Sequence, residues 1–368
     1  MDLEVHCTPT VFEQLGAEWN ALLARGVCRV PFLRAEYQRA WWAHRGGGEW
    51  PAADLCVVTA RVAGRLVGVA PLFAAPNRDG RRALLLIGSV EISDYLDLIV
   101  EREQVDAFCA ALLERLTAPD VPAWDVLDWY NLPAVSPTRA ALGRAAAARG
   151  WAATEQTLEP VPAIRLPGDW ETYLATMVEK KERQEIKRKI RRAEAYESAA
   201  VTWRVVSGAQ YTPAEGASFL AMMALAEDKA RFLTPAMRAQ FQDTLQAAAE
   251  AGWLHLAFLD VGGEPAAAYL SFDFDHRLYV YNSAIDPRFG ALSAGWVLLG
   301  YLLQWAIQNG RAEFDFMRGG EDYKFRFGAV ASAIFRLQTG PRLTAADLGG
   351  GPLAVANAQE ADCFPCAR

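Results

Sequence analysis

The stretch EFDFMRGGEDYKFRFGA, residues 313–329, changes character twice within seventeen residues. It begins with the pattern of a buried strand, continues through Arg318, two glycines, two acids and Lys324, and ends in alternating aromatic residues. A purely structural loop has no need for this mixture. We interpret the two ends as consecutive strands of one sheet, and the middle as a loop that crosses the mouth of a cleft.

The composition is that of a globular protein with more than one domain. The 368 residues are 52% hydrophobic and 22% charged, with a net charge of −7, and this length predicts two domains. A mildly acidic chain is not expected to have general affinity for nucleic acid or acidic membranes. One segment departs from the average, because Lys180–Arg192 holds eight Lys or Arg and two Glu, a charge of +6 that leaves −13 on the remainder.

Targeting, membrane and metal signals are missing from the sequence. The N-terminal MDLEVHCTPT has no basic region followed by an apolar one, and no apolar run reaches the ~18 residues of a membrane span. We therefore expect a cytoplasmic protein with reduced cysteines. The single CxxC, CFPC at residues 363–366, falls in a predicted flexible tail, and the four histidines are not clustered, so no metal site is predicted.

Hydrophobic periodicity predicts the same order of elements twice: hairpin, strand, helix, strand. The hairpins are predicted at residues 54–74 and 253–274, and the closing strands at 124–130 and 312–317. Helical sequence lies between the two halves, with Asp169, Thr212 and Thr234 as expected N-cap residues, Thr212 in a capping box with Glu215.

This order predicts an α/β fold of two mixed-sheet units in tandem with an intervening helical segment. We expect an N-terminal unit over residues 1–160 and a C-terminal unit over residues 161–345. The C-terminal unit includes a basic helix over residues 178–196, and residues 346–368 form the tail.

Motifs narrow the chemistry. The sequence contains no GxGxxG after a first strand, no GxxxxGK[ST], no GxSxG and no HExxH. The order of elements resembles that of the GNAT acyltransferase superfamily, in which acyl-CoA lies where two parallel strands separate. The stretch FDFMRGGEDYKFRFG resembles the closing motif R-G-x-x-x-Y-K-x-x-[FW]-G of the CelD-like group. Members of that group also tend to carry a basic helix like KKERQEIKRKIRRAE and an element like SDYLDL at residues 93–98. The tandem units with this ending are also similar to Fem-type aminoacyltransferases, which add amino acids to peptidoglycan precursors.

The resemblance implies two GNAT-like units and an N-acyltransferase. The expected reaction moves an acyl group from acyl-CoA, as co-substrate and without a metal, to an amine on a small molecule or precursor, in cell-envelope or polysaccharide metabolism. One alternative is a Fem-type transferase that takes its donor from aminoacyl-tRNA and acts on a peptidoglycan-like precursor. Another is a non-catalytic binding protein with a GNAT fold.

Three residues of the quoted stretch are the predicted catalytic groups. Acyl transfer develops negative charge on the carbonyl oxygen, which a fixed cation stabilises, and the resemblance implies that Lys324 holds this carbonyl. The alternative is a surface lysine whose stem packs against its aromatic neighbours. Tyr323 is expected to protonate a leaving thiolate, as the resemblance implies, or to cap a backbone group. Glu321, or its neighbour Asp322, is a candidate base for the incoming amine.

A second set of residues is predicted to bind the donor. The loop before the helix at 293 places Arg288, Gly290, Ser293 and Gly295 where backbone N–H groups could meet a pyrophosphate, although RFGALSAG breaks the family pattern [QR]-x-x-G-x-[GA]. The alternative is a helix start whose small residues serve packing. Arg318 is expected either to grip phosphate or carboxylate or to pair with a neighbouring acid.

The basic helix supplies the last candidates, Lys187 and Arg191. Its like charges are crowded enough to repel one another unless an anion lies near. The anions considered are the CoA 3′-phosphate, a nucleotide-linked substrate, tRNA and anionic lipid. A solvated helix face is the alternative.

Overall fold

The computed structural model describes residues 1–343, and its chain forms two compact units. Unit 1 comprises Met1–Gln38, Trp50–Leu158 and the described part of the segment that begins at Ala333. Unit 2 comprises Arg39–Glu49 and Glu159–Ser332. The predicted boundary at residue 160 lies inside a strand that contributes residues to both units. The CFPC motif and the predicted tail, residues 346–368, lie outside the described residues.

Unit 1 is built on a mixed sheet with the strand order β1-β2-β3-β4-β6-β13, and β5 pairs with β3. All neighbours are antiparallel except β4 and β6, which are parallel. The strands are β1 Asp2–His6, β2 Asp54–Val62, β3 Arg65–Pro76, β4 Arg82–Leu86, β5 Ile99–Val100, β6 Val126–Pro133 and β13 Val330–Thr339.

Five helices begin in unit 1. The third contains Arg45 and Gly46 in left-handed conformations and ends in unit 2. The helices are α1 Val11–Gln14, α2 Gly16–Leu23, α3 Ala35–Gly48, α4 Val105–Arg115 and α5 Pro137–Ala148, with 3-10 turns at Pro31–Leu33 and Arg102–Gln104.

Unit 2 repeats the arrangement with the strand order β7-β12-β11-β10-β9-β8. Again a single neighbouring pair, β11 with β12, is parallel, and the others are antiparallel. The strands are β7 Ala153–Arg165, β8 Val201–Val206, β9 Leu254–Val261, β10 Glu264–Phe274, β11 Arg277–Ile285 and β12 Glu313–Asp315. The predicted fold class, two GNAT-like mixed-sheet units in tandem, is confirmed.

Two of the three predicted N-caps in unit 2 form, whereas the side chain of Thr212 makes no capping hydrogen bond. Asp169 accepts a hydrogen bond from the N–H of Thr172, and Thr234 accepts one from Met237. The helices are α6 Trp170–Thr176, α7 Lys180–Glu194, α8 Pro213–Met223, α9 Glu227–Phe232, α10 Pro235–Glu250, α11 Ala294–Gln308 and α12 Asp322–Arg326, with 3-10 turns at Gly208–Gln210 and Pro287–Leu292. Within residues 1–343 no helix has the length and apolar character needed to cross a membrane.

One core positions the candidate site of unit 2. The apolar helix α11 packs against the sheet and against the basic helix α7, which buries only Ile186, Ile190 and Ala193. Helix α11 lies so close to β11 that a Cβ atom on Gly295 would stand 2.4 Å from Cδ1 of Ile285. Because that distance is far below van der Waals contact, a side chain at 295 would require the exposed Ile285 side chain to move.

Candidate active site

The two parallel strands of unit 2 pair only at one end. Residues 277–279 of β11 pair with residues 313–315 of β12, and β11 then continues to Ile285 paired with β10 but not with β12. Beyond Asp315 the segment that follows β12 stays hydrogen-bonded to β7. The N–H groups of Phe316 and Gly319 donate to the carbonyls of Pro162 and Pro160 at 2.9 and 3.0 Å. The strands therefore separate at their carboxyl ends, where α/β folds bind ligands.

The stretch 313–329 departs from our interpretation at its second end. Only Glu313–Asp315 is a strand, and the aromatic end is the short helix α12, which begins at Asp322. The next strand, β13, begins at Val330 and pairs with β6 of unit 1 through its residues from Ile334. The alternating pattern was misleading because Tyr323 and Phe327 are also spaced by one helical turn, and Phe327 is fully buried.

Lys324 lies on α12 and is 2% exposed, so the alternative of a surface lysine is wrong. Its Nζ donates to the carbonyl oxygens of Arg318 at 2.6 Å and Gly319 at 3.0 Å, and it lies 2.9 Å from Oε2 of Glu321. An ammonium has three N–H donors. All three are therefore engaged, and Lys324 holds the loop 318–321 in place.

Glu321 reaches Lys324 because residue 319 is glycine. Gly319 has φ +106°, a backbone conformation that residues with a side chain rarely adopt. A Cβ at this position would lie 2.4 Å from Oε2 of Glu321. Glu321 itself is largely exposed, at 57% of its side chain. Its carboxylate is thus held by one buried ammonium and is open to solvent on its other side.

Tyr323 is half-buried beside this loop, with its ring centroid 6.1 Å from that of Phe316. Burial, with a smaller effect of the nearby Glu321 carboxylate, raises the pKa of Tyr323 to about 12. The phenol therefore keeps its proton at neutral pH and is able to act as an acid.

Lys229 is a residue of this region that sequence reasoning missed. It lies on α9, and its Nζ donates to Oδ1 of Asn282 at 3.0 Å and to the carbonyl of Ser283, both on the part of β11 beyond its pairing with β12. Burial lowers the pKa of Lys229, and the carboxylates of Asp228 and Glu321 oppose that effect. A lone lysine between two acidic residues and alanine carries no sequence signal for this placement.

The predicted residues of the loop before α11 differ in their contacts and backbone conformation. Arg288 binds Asp286 at 2.7 Å and Glu264 at 3.0 Å, so its charge is compensated by two carboxylates. Gly290 has open space around its Cα. Ser293 adopts the left-handed conformation with φ 54° and precedes the first residue of α11.

The basic helix meets this loop through a residue that was not predicted. Nη2 of Arg192 donates to Oγ of Ser293 at 3.1 Å, while its Nε is buried without a hydrogen-bond partner within the described residues. The predicted residues lie further along the helix surface. Lys187 binds Glu171 at 2.8 Å, and Nε of Arg191 donates to the carbonyl of Lys187 at 3.2 Å.

The arrangement brings together two groups of predicted residues. Lys324, Tyr323 and Glu321 lie in the segment that follows the end of β12, together with Arg318, which contributes its carbonyl oxygen to Lys324. Ser293 and Gly295 lie at the start of α11, next to Arg192. Among residues 1–343, His, Cys, Asp and Glu form no group that could hold a metal ion.

Comparisons with solved structures identify proteins of similar fold. The chain superposes on FemX with a TM-score of 0.64 and 11% identity, covering 91% of this chain and 97% of FemX. A conserved protein of unknown function from Bacteroides thetaiotaomicron gives a TM-score of 0.57 at 14% identity, covering 92% and 100% of the two chains. The L-PGS of Bacillus licheniformis gives 0.52 at 13% identity, covering 89% and 91%. These likenesses concern the fold.

Comparison of the sequence with family models identifies a similar domain in one segment of the chain. No curated protein matches the sequence. Residues 180–325, from the start of α7 to α12, match the acetyltransferase (GNAT) domain, and this segment includes every predicted site residue. The resemblance stated from the sequence is confirmed. The match to the GNAT superfamily therefore applies to residues 180–325 of this chain.

Proposed function

We propose that the chain is an N-acyltransferase that moves an acyl group from acyl-CoA to an amine in unit 2. The observation that carries the proposal is the separation of β11 from β12 beyond Tyr279 and Asp315. The N-terminus of α11 lies beside Arg192, whose Nη2 donates to Ser293, and the protonated phenol of Tyr323 and the buried Lys324 lie on α12, which follows β12. This arrangement fits an extended anionic donor whose reacting end enters between the strands.

The donor's pyrophosphate is assigned to the start of α11. This helix has 15 residues, and its first N–H groups carry partial positive charge. Arg192 supplies a full charge there, and its buried Nε offers a donor that an anionic oxygen would satisfy. Arg288 is not assigned to the donor, because Asp286 and Glu264 already compensate its charge.

Acyl transfer by this site needs three functions from the protein. As the amine nitrogen attacks the thioester carbonyl, Lys324 stabilises the developing oxyanion once Glu321 releases one of its N–H groups. Tyr323, whose raised pKa keeps its phenol protonated, donates that proton to the departing CoA sulfur. Glu321 accepts the proton that the attacking amine loses. The bond to sulfur breaks, the amide bond forms, and one proton moves to the thiolate.

The donor assignment is testable by calorimetric titration with CoA. We expect one-to-one binding to the wild-type protein. Arg192→Met should weaken it about tenfold, the usual cost of one charge-assisted contact of about 1.5 kcal/mol. Arg288→Met, an arginine of the same loop region that is compensated by acids, should change it less than threefold. No heat with CoA at millimolar concentration, together with salt-dependent binding of aminoacyl-tRNA, would replace the donor with tRNA.

A further inference from the structure

The side-chain ammonium of Lys229 makes no ion pair within the described residues. Lys229 is half-buried, and no carboxylate of the described residues 1–343 lies within ion-pair distance of its Nζ. Its two hydrogen bonds go to neutral oxygens, those of Asn282 and Ser283. Removing an ammonium from water without a paired charge costs free energy, which agrees with the lowered pKa of Lys229.

The ammonium of Lys229 has one donor left. Three N–H groups are available, and the Asn282 amide oxygen and the Ser283 carbonyl account for two of them. An anionic oxygen at the third position would supply both the missing hydrogen bond and the missing charge. The chemistry therefore calls for a carboxylate or another small anion at Lys229.

The place of Lys229 connects this anion to the acyl-transfer site. Asn282 and Ser283 lie on β11 beyond its last pair with β12, which is the stretch that borders the opening. The carboxylate of Glu321 is near enough to act electrostatically on both Lys229 and Tyr323. A cation on α9 and an anion on the loop 318–321 thus lie at the carboxyl ends of the neighbouring strands β11 and β12, where the acceptor amine must arrive.

We propose that the acceptor is an α-amino acid, whose carboxylate binds Lys229 and whose ammonium binds Glu321 before it reacts. This inference rests on the proposed function and names the acceptor class of that same site. A zwitterion matches the two protein charges in sign, and it satisfies the open donor of Lys229 and the solvent side of Glu321 together.

The proposal also explains why Glu321 and Lys324 are joined by an ion pair. When the ammonium of the amino acid takes Glu321 as its partner, one N–H group of Lys324 is released while the carbonyls of Arg318 and Gly319 keep the other two. Acceptor binding thereby prepares Lys324 for the oxyanion. The bound ammonium first loses one proton to solvent through the exposed carboxylate of Glu321, which leaves a neutral amine next to the base for the attack.

The test is calorimetric binding of the twenty common L-amino acids and β-alanine to the full-length protein in the presence of CoA. We expect at least one amino acid to bind, while its α-hydroxy acid and its decarboxylated amine bind at least tenfold more weakly. Lys229→Met should weaken the bound amino acid at least tenfold and leave CoA affinity within twofold. Arg231→Met is the matched control on the same helix, because Arg231 is 72% exposed and pairs only with Glu227, and it should change neither affinity.

Each outcome decides between the two proposals. If CoA binds and none of the twenty-one acceptors does, the amino-acid acceptor is wrong and the acyltransferase proposal stands. Binding of an amino acid that Lys229→Met leaves unchanged also overturns the assignment. If Lys229→Met unfolds the protein, Lys229→Gln is used, which keeps donors for Asn282 and Ser283 without the charge. If the wild-type protein does not bind CoA, the proposed function is contradicted.

Discussion

The Nζ atom of Lys324 lies 2.6 Å from the carbonyl oxygen of Arg318. This hydrogen bond crosses the turn formed by Gly319 and Gly320, and it joins the short helix α12 to the end of the chain that follows β12. A buried lysine therefore fixes the backbone around Glu321. The loop owes its shape to a residue that also lies where the acyl group is proposed to react.

Replacing Lys324 should affect both stability and catalysis. Lys324→Met leaves two partly buried carbonyls without their lysine donor, so we expect a loss of about 1–3 kcal/mol in the free energy of unfolding and a fall of about 100-fold in kcat. Chemical denaturation and steady-state kinetics measure the two effects. CoA affinity should remain within threefold. Phe325→Leu, at a 40% exposed position on the same helix, is the control, and a Lys324→Met enzyme with normal kcat would remove Lys324 from the reaction.

Gly319 should tolerate no side chain. In Gly319→Ala the new methyl group would meet Oε2 of Glu321 at 2.4 Å, and the backbone would keep φ +106° only under strain. We expect a cost of about 1–3 kcal/mol in unfolding free energy and a Glu321 displaced from Lys324. Gly290→Ala serves as the comparison, since a methyl there meets open space. Equal stability of the two variants would show that Gly319 is not needed for the loop.

Tyr323 gives a pH signature. Because the pKa of Tyr323 is raised to about 12, its acid form persists above the pH near 10 at which an ordinary tyrosine ionises. The kcat profile should therefore show no decline from Tyr323 between pH 8 and pH 11. Tyr323→Phe should lower kcat about 100-fold across that range. A decline with an apparent pKa near 10 that disappears in Tyr323→Phe would contradict the assignment.

His255 predicts acid sensitivity away from the site. Its ring is buried against Trp305 at 4.1 Å between centroids, with neither nitrogen hydrogen-bonded within the described residues. Burial lowers the pKa of His255 from 6.5 to about 4.

The unfolded chain thus binds the proton more readily, so stability is lost as the pH falls through 6.5 toward 4, by about 1–2 kcal/mol between pH 7 and pH 5. His255→Leu should reduce that loss, as measured by urea unfolding at the two pH values. Equal acid sensitivity of variant and wild type would show that His255 does not titrate in this way.

Local patterns predicted most of the fold. The hairpin of β9 and β10 was predictable because an apolar strand pattern flanks Gly262 and Gly263. The start of α10 was predictable because Thr234 and Pro235 act through neighbouring backbone atoms. Helix α12 was mispredicted as a strand because five residues are too few to distinguish a period of 2 from one of 3.6.

The site was less predictable because its contacts join distant segments. Glu264 at the start of β10 pairs with Arg288 in the turn before α11, and Lys229 on α9 donates to the carbonyl of Ser283 on β11. The sequence indicated Lys324 and Tyr323 through the motif around them. Nothing in the sequence places Lys229 beside β11, since tertiary contacts alone bring them together.

The central claim is that acyl-CoA binds between β11 and β12, and a crystal structure with acetyl-CoA tests it most directly. We predict density for the pyrophosphate at the N–H groups of Ala294 and Gly295 beside Arg192, and for the thioester between Ser283 and Tyr323. Acetyl-CoA bound elsewhere on the protein, or no density at millimolar concentration in crystals that leave this opening accessible, would contradict the account.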